Sequence, residues 1–185
     1  MRPKLAATLL SLAIAIPALA LTVAGVNLDD HVTVNGQTLV LNGAGLRKKL
    51  FIKVYVGGLY LAAKNSNPQT ITNTDAPRRQ VMHFLYSVSK SQMCDAWDEG
   101  LEQNTKNASA EVKNEFKTLC SWMEPIPKGN RLVLTYVPGS GTTVEVNGKM
   151  KGTLAGKATA DAILATWIGP DPAPGQDFKN AVLGK

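Results

Sequence analysis

Two Asn-Gly pairs limit the fold more than any other feature of this sequence. Asn35-Gly36 and Asn147-Gly148 each stand between short segments rich in β-branched residues, at 32–34 and 38–41 and at 142–146 and 149–154. An Asn-Gly pair supplies the two positive φ angles of the tightest β-hairpin turn. The sequence therefore predicts antiparallel strands that follow one another along the chain.

Other segments extend this pattern into a fold class. Further strands are predicted at residues 51–62, 80–88 and 131–137, and Gly57-Gly58 in the first of them indicates a bulge or a close backbone approach. Apolar residues at helical spacing predict a last helix over residues 158–168. The order of strands, two helices, strands and one helix predicts an α+β fold with an antiparallel sheet covered by helices.

The two central helices carry the only cysteines of the sequence, Cys94 and Cys120. Ser89 and Gln92 form a capping-box pattern that starts the first helix, and the second ends before Pro125. In an antiparallel helix pair the two cysteines lie at similar heights on facing sides. We expect a disulfide between them; the alternative is two buried free thiols.

The first twenty residues have the pattern of a cleaved signal peptide. Arg2 and Lys4 precede an apolar run at 5–16, and Ala18-Leu19-Ala20 matches a small-x-small cleavage site. The alternative is a membrane anchor, but the run is shorter than the ~20 residues that span a bilayer. We expect residues 1–20 to be a signal peptide and 21–185 a single domain of a bacterial protein, periplasmic or secreted, without a stable membrane span.

Composition and missing motifs exclude several functions. Apolar residues make up 44% and charged residues 18%, which is typical of one globular domain. Without Arg2 and Lys4 there are 18 basic and 14 acidic residues, too mild an excess to indicate nucleic acid. Hydrolase, phosphate-loop, zinc-protease and Cys-x-x-Cys motifs are absent, and His31 and His83 are too few for a predicted metal site. We predict no cofactor, and nothing in the sequence specifies an oligomeric state.

One stretch carries a family resemblance. Residues 41–47, Leu-Asn-Gly-Ala-Gly-Leu-Arg, and 51–61, Phe-Ile-Lys-Val-Tyr-Val-Gly-Gly-Leu-Tyr-Leu, resemble the signature of the chalcone isomerase family. In that signature a Gly-x-Gly-x-Arg turn feeds a long strand. The resemblance extends more weakly to residues 165–169, Ala-Thr-Trp-Ile-Gly. It implies an open-faced β-sandwich, a large antiparallel sheet under a layer of helices, with an apolar cleft between them.

The resemblance also implies a site. Arg47 matches the family's catalytic arginine, whose planar guanidinium can orient a phenolate and offset developing enolate charge. Thr166 keeps a matching hydroxyl, whereas Tyr55 replaces a threonine, Met93 a tyrosine and Gly100 an asparagine. The predicted site has therefore lost polar groups and gained an apolar lining.

Three functions follow from this comparison. The favoured one is a non-catalytic binder in which Arg47 and Tyr55 hold the carboxylate of a small apolar ligand such as a fatty acid. The rest of the predicted ligand site consists of Met93, Trp97, Thr166 and Trp167. This resembles the fatty-acid-binding members of the family. The alternative is an intramolecular lyase that cyclises a phenolic enone, with Arg47, Tyr55 and Thr166 as catalytic residues. A weaker alternative is haem, with His83 or Tyr55 as its axial ligand.

Overall fold

The computed structural model describes residues 20–185, so the predicted signal peptide lies outside the described residues apart from Ala20. Within this range the strands are β1 Leu21–Val23, β2 Val26–Leu28, β3 His31–Val34, β4 Gln37–Lys49, β5 Ile52–Leu61, β6 Arg78–Phe84, β7 Arg131–Val137, β8 Gly141–Val146 and β9 Lys149–Leu154. The helices are α1 Pro68–Asn73, α2 Lys90–Asn104, α3 Ala110–Trp122, α4 Lys157–Ile168 and α5 Gln176–Val182. None of these helices is long and apolar enough to span a bilayer.

The strands form a curled antiparallel sheet in which each strand pairs with the next along the chain, from β3 to β9. Both Asn-Gly turns are confirmed, because Asn35 and Gly36 have φ angles of 47° and 77° and Asn147 and Gly148 have 54° and 76°. A separate hairpin, β1–β2, was not predicted. The predicted α+β class is therefore confirmed.

The sheet has a core on each face. Phe84 and Leu132 face the helices and are completely buried in the larger core. Leu39 and Val56 belong to a smaller core on the opposite face, which Leu28 of β2 helps to cover. The helices thus cover one face of the sheet, as in an open-faced sandwich.

The helical hairpin agrees with the sequence prediction. Ser89 and Gln92 make both hydrogen bonds of a capping box at the start of α2. Cys94 and Cys120 form a disulfide with their Cα atoms 5.1 Å apart. The bond joins α2 to α3, so the two helices of the hairpin are fixed to each other.

A buried ion pair anchors α4. Arg78 of β6 is 3% exposed, and its Nη2 donates a hydrogen bond of 2.6 Å to Asp161 Oδ1. Asp161 Oδ2 also accepts from Lys157 Nζ at 2.5 Å. The guanidinium lies 4.7 Å from the centre of the Tyr136 ring. These contacts hold the first half of α4 against the sheet, so the second half lies over β5.

Three expectations are corrected. Residues 43–47 belong to β4 and not to a turn, since the turn falls at Leu50 and Phe51. No bulge occurs at Gly57-Gly58, which pairs regularly with Ala44 and Gly45; the extra residues are Asn42 in β4 and Val54 in β5. The alternative expectation, a close approach to this backbone, holds at Gly57, where an added Cβ atom would lie 2.5 Å from the Phe178 ring. β6 ends at Phe84, because Leu85 and Tyr86 both turn their N–H groups to the carbonyl of Val54.

The irregularity at Asn42 decides which way β4 presents its side chains. Leu39 and Leu41, before it, belong to the core on the face opposite the helices. Gly43 and Gly45, after it, lie against α5. One extra residue in a strand reverses the faces of all that follow. The reversal puts Arg47 on the helix side.

Asn42 also fixes α5, a helix that the sequence analysis missed together with α1. Its Nδ2 donates to the carbonyl of Val182 at 2.8 Å, and its Oδ1 accepts from the backbone N–H of Asn65 at 2.7 Å. A Cβ atom at Gly43 would collide with the backbone oxygen of Ala181. Glycine is therefore required for α5 to lie directly on β4.

Replacing Cys94 and Cys120 together by alanine should lower the free energy of unfolding by about 3 kcal/mol, because the bond removes the entropy of a loop of about 25 residues from the unfolded chain. Urea unfolding followed by tryptophan fluorescence measures this difference. Reduced wild type should match the double variant. A variant as stable as the oxidised wild type would contradict a stabilising disulfide.

Candidate functional site

A cavity of about 250 Å³ lies between the helix-facing side of the sheet and helices α2 and α4. Its wall comes from β4, β5, β6, α2, α4 and the segment after α4. All six residues that the sequence analysis assigned to a ligand line it: Arg47, Tyr55, Met93, Trp97, Thr166 and Trp167. Residues far apart in the sequence are thus brought to one place, while their role in binding stays a prediction.

A row of side chains across three strands forms the base of the cavity. Arg47 of β4 pairs directly with Tyr55 of β5, and Tyr55 pairs with Phe84 of β6. Side chains of directly paired residues lie on the same face of a sheet, about 5 Å apart at Cβ. The guanidinium and the phenol therefore share one side of the cavity without being close in sequence.

Phe178 of α5 supports the aromatic residues of the cavity from outside its lining and was missed by the sequence analysis. It packs over the paired glycines Gly45 and Gly57, where added Cβ atoms would come within 2.9 and 2.5 Å of its ring. Its ring centre lies 5.7 Å from that of Tyr55 and 4.9 Å from that of Trp167, both edge to face. The sequence signal for this contact was a pair of glycines at opposite positions on neighbouring strands, which leaves room for a large side chain from another element.

Tyr55 is held in its neutral form. Burial raises the pKa of its phenol well above the usual value of about 10, and the nearby Arg47 and Trp167 oppose this only in part. A neutral phenol keeps its proton and can donate a hydrogen bond. Beside a guanidinium it adds a second donor to the same part of the cavity.

Arg47 is available for an anion. Among residues 20–185 it makes no salt bridge and no side-chain hydrogen bond. Asp95 and Glu99 line the cavity on the α2 side and are exposed to solvent. An unpaired guanidinium that is partly withdrawn from water gains most from a carboxylate, which it can bind with two parallel hydrogen bonds.

Helices α2 and α4 contribute mostly apolar surface. Met93 and Trp97 are one helical turn apart and buried, and the indole Nε1 of Trp97 has no hydrogen-bond partner. Thr166 donates its hydroxyl proton to the carbonyl of Ile163 at 2.8 Å. A Cβ atom at Gly100 would lie 2.9 Å from Thr166 Cβ, so glycine allows α2 and α4 to touch there.

The histidines lie away from the cavity. His83 is on the opposite face of β6, where its Nδ1 accepts a hydrogen bond of 3.3 Å from Arg131 Nε. Burial and the charge of Arg131 lower its pKa. His31 is exposed on β3, and residues 20–185 contain no cluster of three metal-ligating side chains. His83 is therefore on the wrong side of the sheet to serve as an axial haem ligand in this cavity.

Fold and cavity together define an open-faced β-sandwich with a cavity between its sheet and its helices. The chain belongs to the chalcone isomerase-like family, whose model matches residues 20–184. The crystal structure of a fatty-acid binding protein from Arabidopsis thaliana has the same fold, with a TM-score of 0.70 at 17% sequence identity, over 89% of this chain and 96% of that one. A search of curated proteins found no match.

The environment of Tyr55 generates a test by alkaline titration. The folded state keeps the Tyr55 proton to higher pH than the unfolded chain does. The Tyr55 phenol therefore contributes fully to the free energy of unfolding below about pH 10, and this contribution is lost as the pH rises above that value. In the folded protein Tyr55 should stay protonated up to about pH 11. Folded wild type and folded Tyr55→Phe should therefore gain the same tyrosinate absorbance between neutral pH and about pH 11.

The unfolded chain provides the control for this titration. In denaturant the same substitution should remove one quarter of the absorbance change, since the chain has four tyrosines. An equal loss in the folded protein would contradict a raised pKa for the Tyr55 phenol.

Proposed function

We propose that this protein is a non-catalytic binding protein for an apolar carboxylic acid of the fatty-acid type, which acts outside the cytoplasm after export. The observation that carries the proposal is the guanidinium of Arg47, which has no salt-bridge partner among the described residues. It lies opposite the neutral phenol of Tyr55 on the neighbouring strand, in a cavity with aromatic walls. A carboxylate accepts hydrogen bonds from both groups, and the remaining surface accommodates an apolar chain.

Three further observations support the proposal. The similar structure from Arabidopsis thaliana is that of a fatty-acid binding protein. The cavity volume of about 250 Å³ is close to the lower end of the range of about 300–1,000 Å³ for small-molecule sites, as expected for one small ligand. The disulfide supports export, because such bonds persist in oxidising compartments.

Cyclisation of a phenolic enone has weaker support. Met93 has no proton to donate, and the Thr166 hydroxyl proton is already bound to Ile163. Of the three residues assigned to catalysis, Arg47 and Tyr55, which replaces a threonine of the family, are left as proton donors. A guanidinium alone serves a carboxylate, whereas ring closure requires several positioned donors.

Substituting Arg47 tests the head group. Arg47→Ala should weaken the binding of lauric acid by about 1.5–3 kcal/mol, the range for a hydrogen bond to a charged group, without loss of the fold. Arg47→Lys should also weaken it, since an ammonium cannot make two parallel bonds. Calorimetric titration measures both. Arg131→Ala, on the opposite face, is the matched control, and wild-type affinity in both Arg47 variants would remove Arg47 from the site.

Comparing an acid with its ester tests the charge. Lauric acid should bind much more tightly than methyl laurate, because the ester leaves the guanidinium desolvated and unpaired. Tyr55→Phe should weaken the binding free energy of the acid by about 0.5–1.5 kcal/mol, the contribution of one hydrogen bond, and that of the ester only slightly. The control, Tyr60→Phe on the other face of the sheet, should change neither affinity. Equal affinity for acid and ester would refute carboxylate recognition.

A parallel assay addresses the lyase alternative. Wild type should show no cyclisation of hydroxychalcone above the rate in buffer. Turnover that falls in Arg47→Ala and Tyr55→Phe would show instead that the site is catalytic.

A further inference from the structure

The turn between β4 and β5 exposes six consecutive residues, Lys-Lys-Leu-Phe-Ile-Lys at positions 48–53, here named the β4–β5 tip. Leu50 and Phe51 are 87% and 89% exposed, and Ile52 is 37% exposed. Single exposed apolar residues are ordinary, but large ones in succession at the end of a hairpin form a patch that indicates a partner.

The backbone of the tip shows that the folded domain does not require these side chains. Lys49 pairs with Ile52, so Leu50 and Phe51 form a two-residue turn. Leu50 has a φ of +55°, in the left-handed region that favours glycine or asparagine. Neither Leu50 nor Phe51 belongs to either core. The tip thus carries two large apolar residues at a position where the turn itself favours small or polar ones.

The charges around the tip indicate the chemistry of the partner. Lys48, Lys49 and Lys53 flank the apolar residues, and no acidic residue lies between Arg47 and Tyr55. Apolar side chains framed by lysines match the interface of an anionic bilayer, where the chains enter the headgroup region and the ammonium groups meet lipid phosphates.

The tip adjoins the opening of the cavity. Lys49 and Ile52 of the tip line the cavity, and so does Tyr86, which is 51% exposed. Tyrosine is enriched at the level of lipid headgroups. Asp95 and Glu99 lie on the α2 side of the cavity, so an anionic surface would attract the tip and repel the opposite rim.

We propose that the β4–β5 tip docks the protein on an anionic lipid bilayer, with Leu50 and Phe51 inserted among the headgroups. The cavity opening then lies next to the membrane, where an apolar acid can pass between bilayer and protein without crossing water. Docking depends on the tip alone. The passage of the acid rests on the proposed function, which the titrations without lipid test separately.

Vesicle flotation tests the docking. The protein, as processed by the cells that express it, is mixed with vesicles of phosphatidylcholine alone or with one third phosphatidylglycerol. We expect binding to the anionic vesicles, little to the neutral ones, and weaker binding as salt is added. All variants carry the same N-terminus, so any contribution from it is common to every measurement.

Matched variants locate the contact. The double variant Leu50→Ser, Phe51→Ser should bind vesicles about tenfold more weakly or worse. The double variant Lys48→Gln, Lys53→Gln should lose about fivefold in affinity for each lysine removed. The apolar control is Met150→Ser on β9, which is 63% exposed and four strands away. The charge control is Lys113→Gln with Lys117→Gln on α3. Both controls should bind as wild type, and none of the tip variants should change the affinity for lauric acid in solution.

A spectroscopic measurement covers any variant that loses stability. The fluorescence of the tryptophan introduced by Phe51→Trp should shift to shorter wavelength when anionic vesicles are added and should not shift with neutral vesicles. Equal binding by wild type and the Leu50/Phe51 variant, or no such shift, would overturn the proposal. A sedimentation change from dimer to monomer in that variant, with unaltered vesicle binding, would assign the tip to contact between two copies instead.

Discussion

The extra residue at Asn42 is the constraint on which the cavity depends. Without it, β4 would continue the alternation of Leu39 and Leu41, and Arg47 would point to the face opposite the helices. The same residue binds the end of α5 through Val182. One irregularity in the strand therefore turns the guanidinium toward the helices and fixes the helix that supplies Phe178.

Packing and electrostatics at the site have a common cause. The paired glycines Gly45 and Gly57 leave room for the Phe178 ring, which packs edge to face on both Tyr55 and Trp167. This aromatic surrounding removes water from the phenol and raises its pKa. The contacts that build the base of the cavity thus also keep Tyr55 protonated beside the charged Arg47.

Each helix around the cavity is held by a different interaction. The disulfide joins α2 to α3, the Arg78–Asp161 ion pair holds α4, and Asn42 holds α5. All of these lie outside the cavity wall. The lining can therefore be largely apolar and aromatic, with Arg47 and Lys49 as the charged groups that the sheet contributes, because these three interactions lie elsewhere.

By itself the sequence determined the local features: both Asn-Gly turns, the capping box of α2, the cysteine pairing and the family signature around Arg47. Each rests on residues near one another in the chain or on a conspicuous pattern, so that short-range geometry is sufficient. The tertiary structure decided what depends on contacts between distant segments: the bulge at Asn42, the place of Phe178 over two glycines, and the side of the sheet on which His83 lies. When side-chain faces are predicted from the sequence, the strand is assumed to be unbroken, and a bulge reverses the faces beyond it. The bulged residue, Asn42, hydrogen-bonds to Val182 of α5, which lies 140 residues further along the chain.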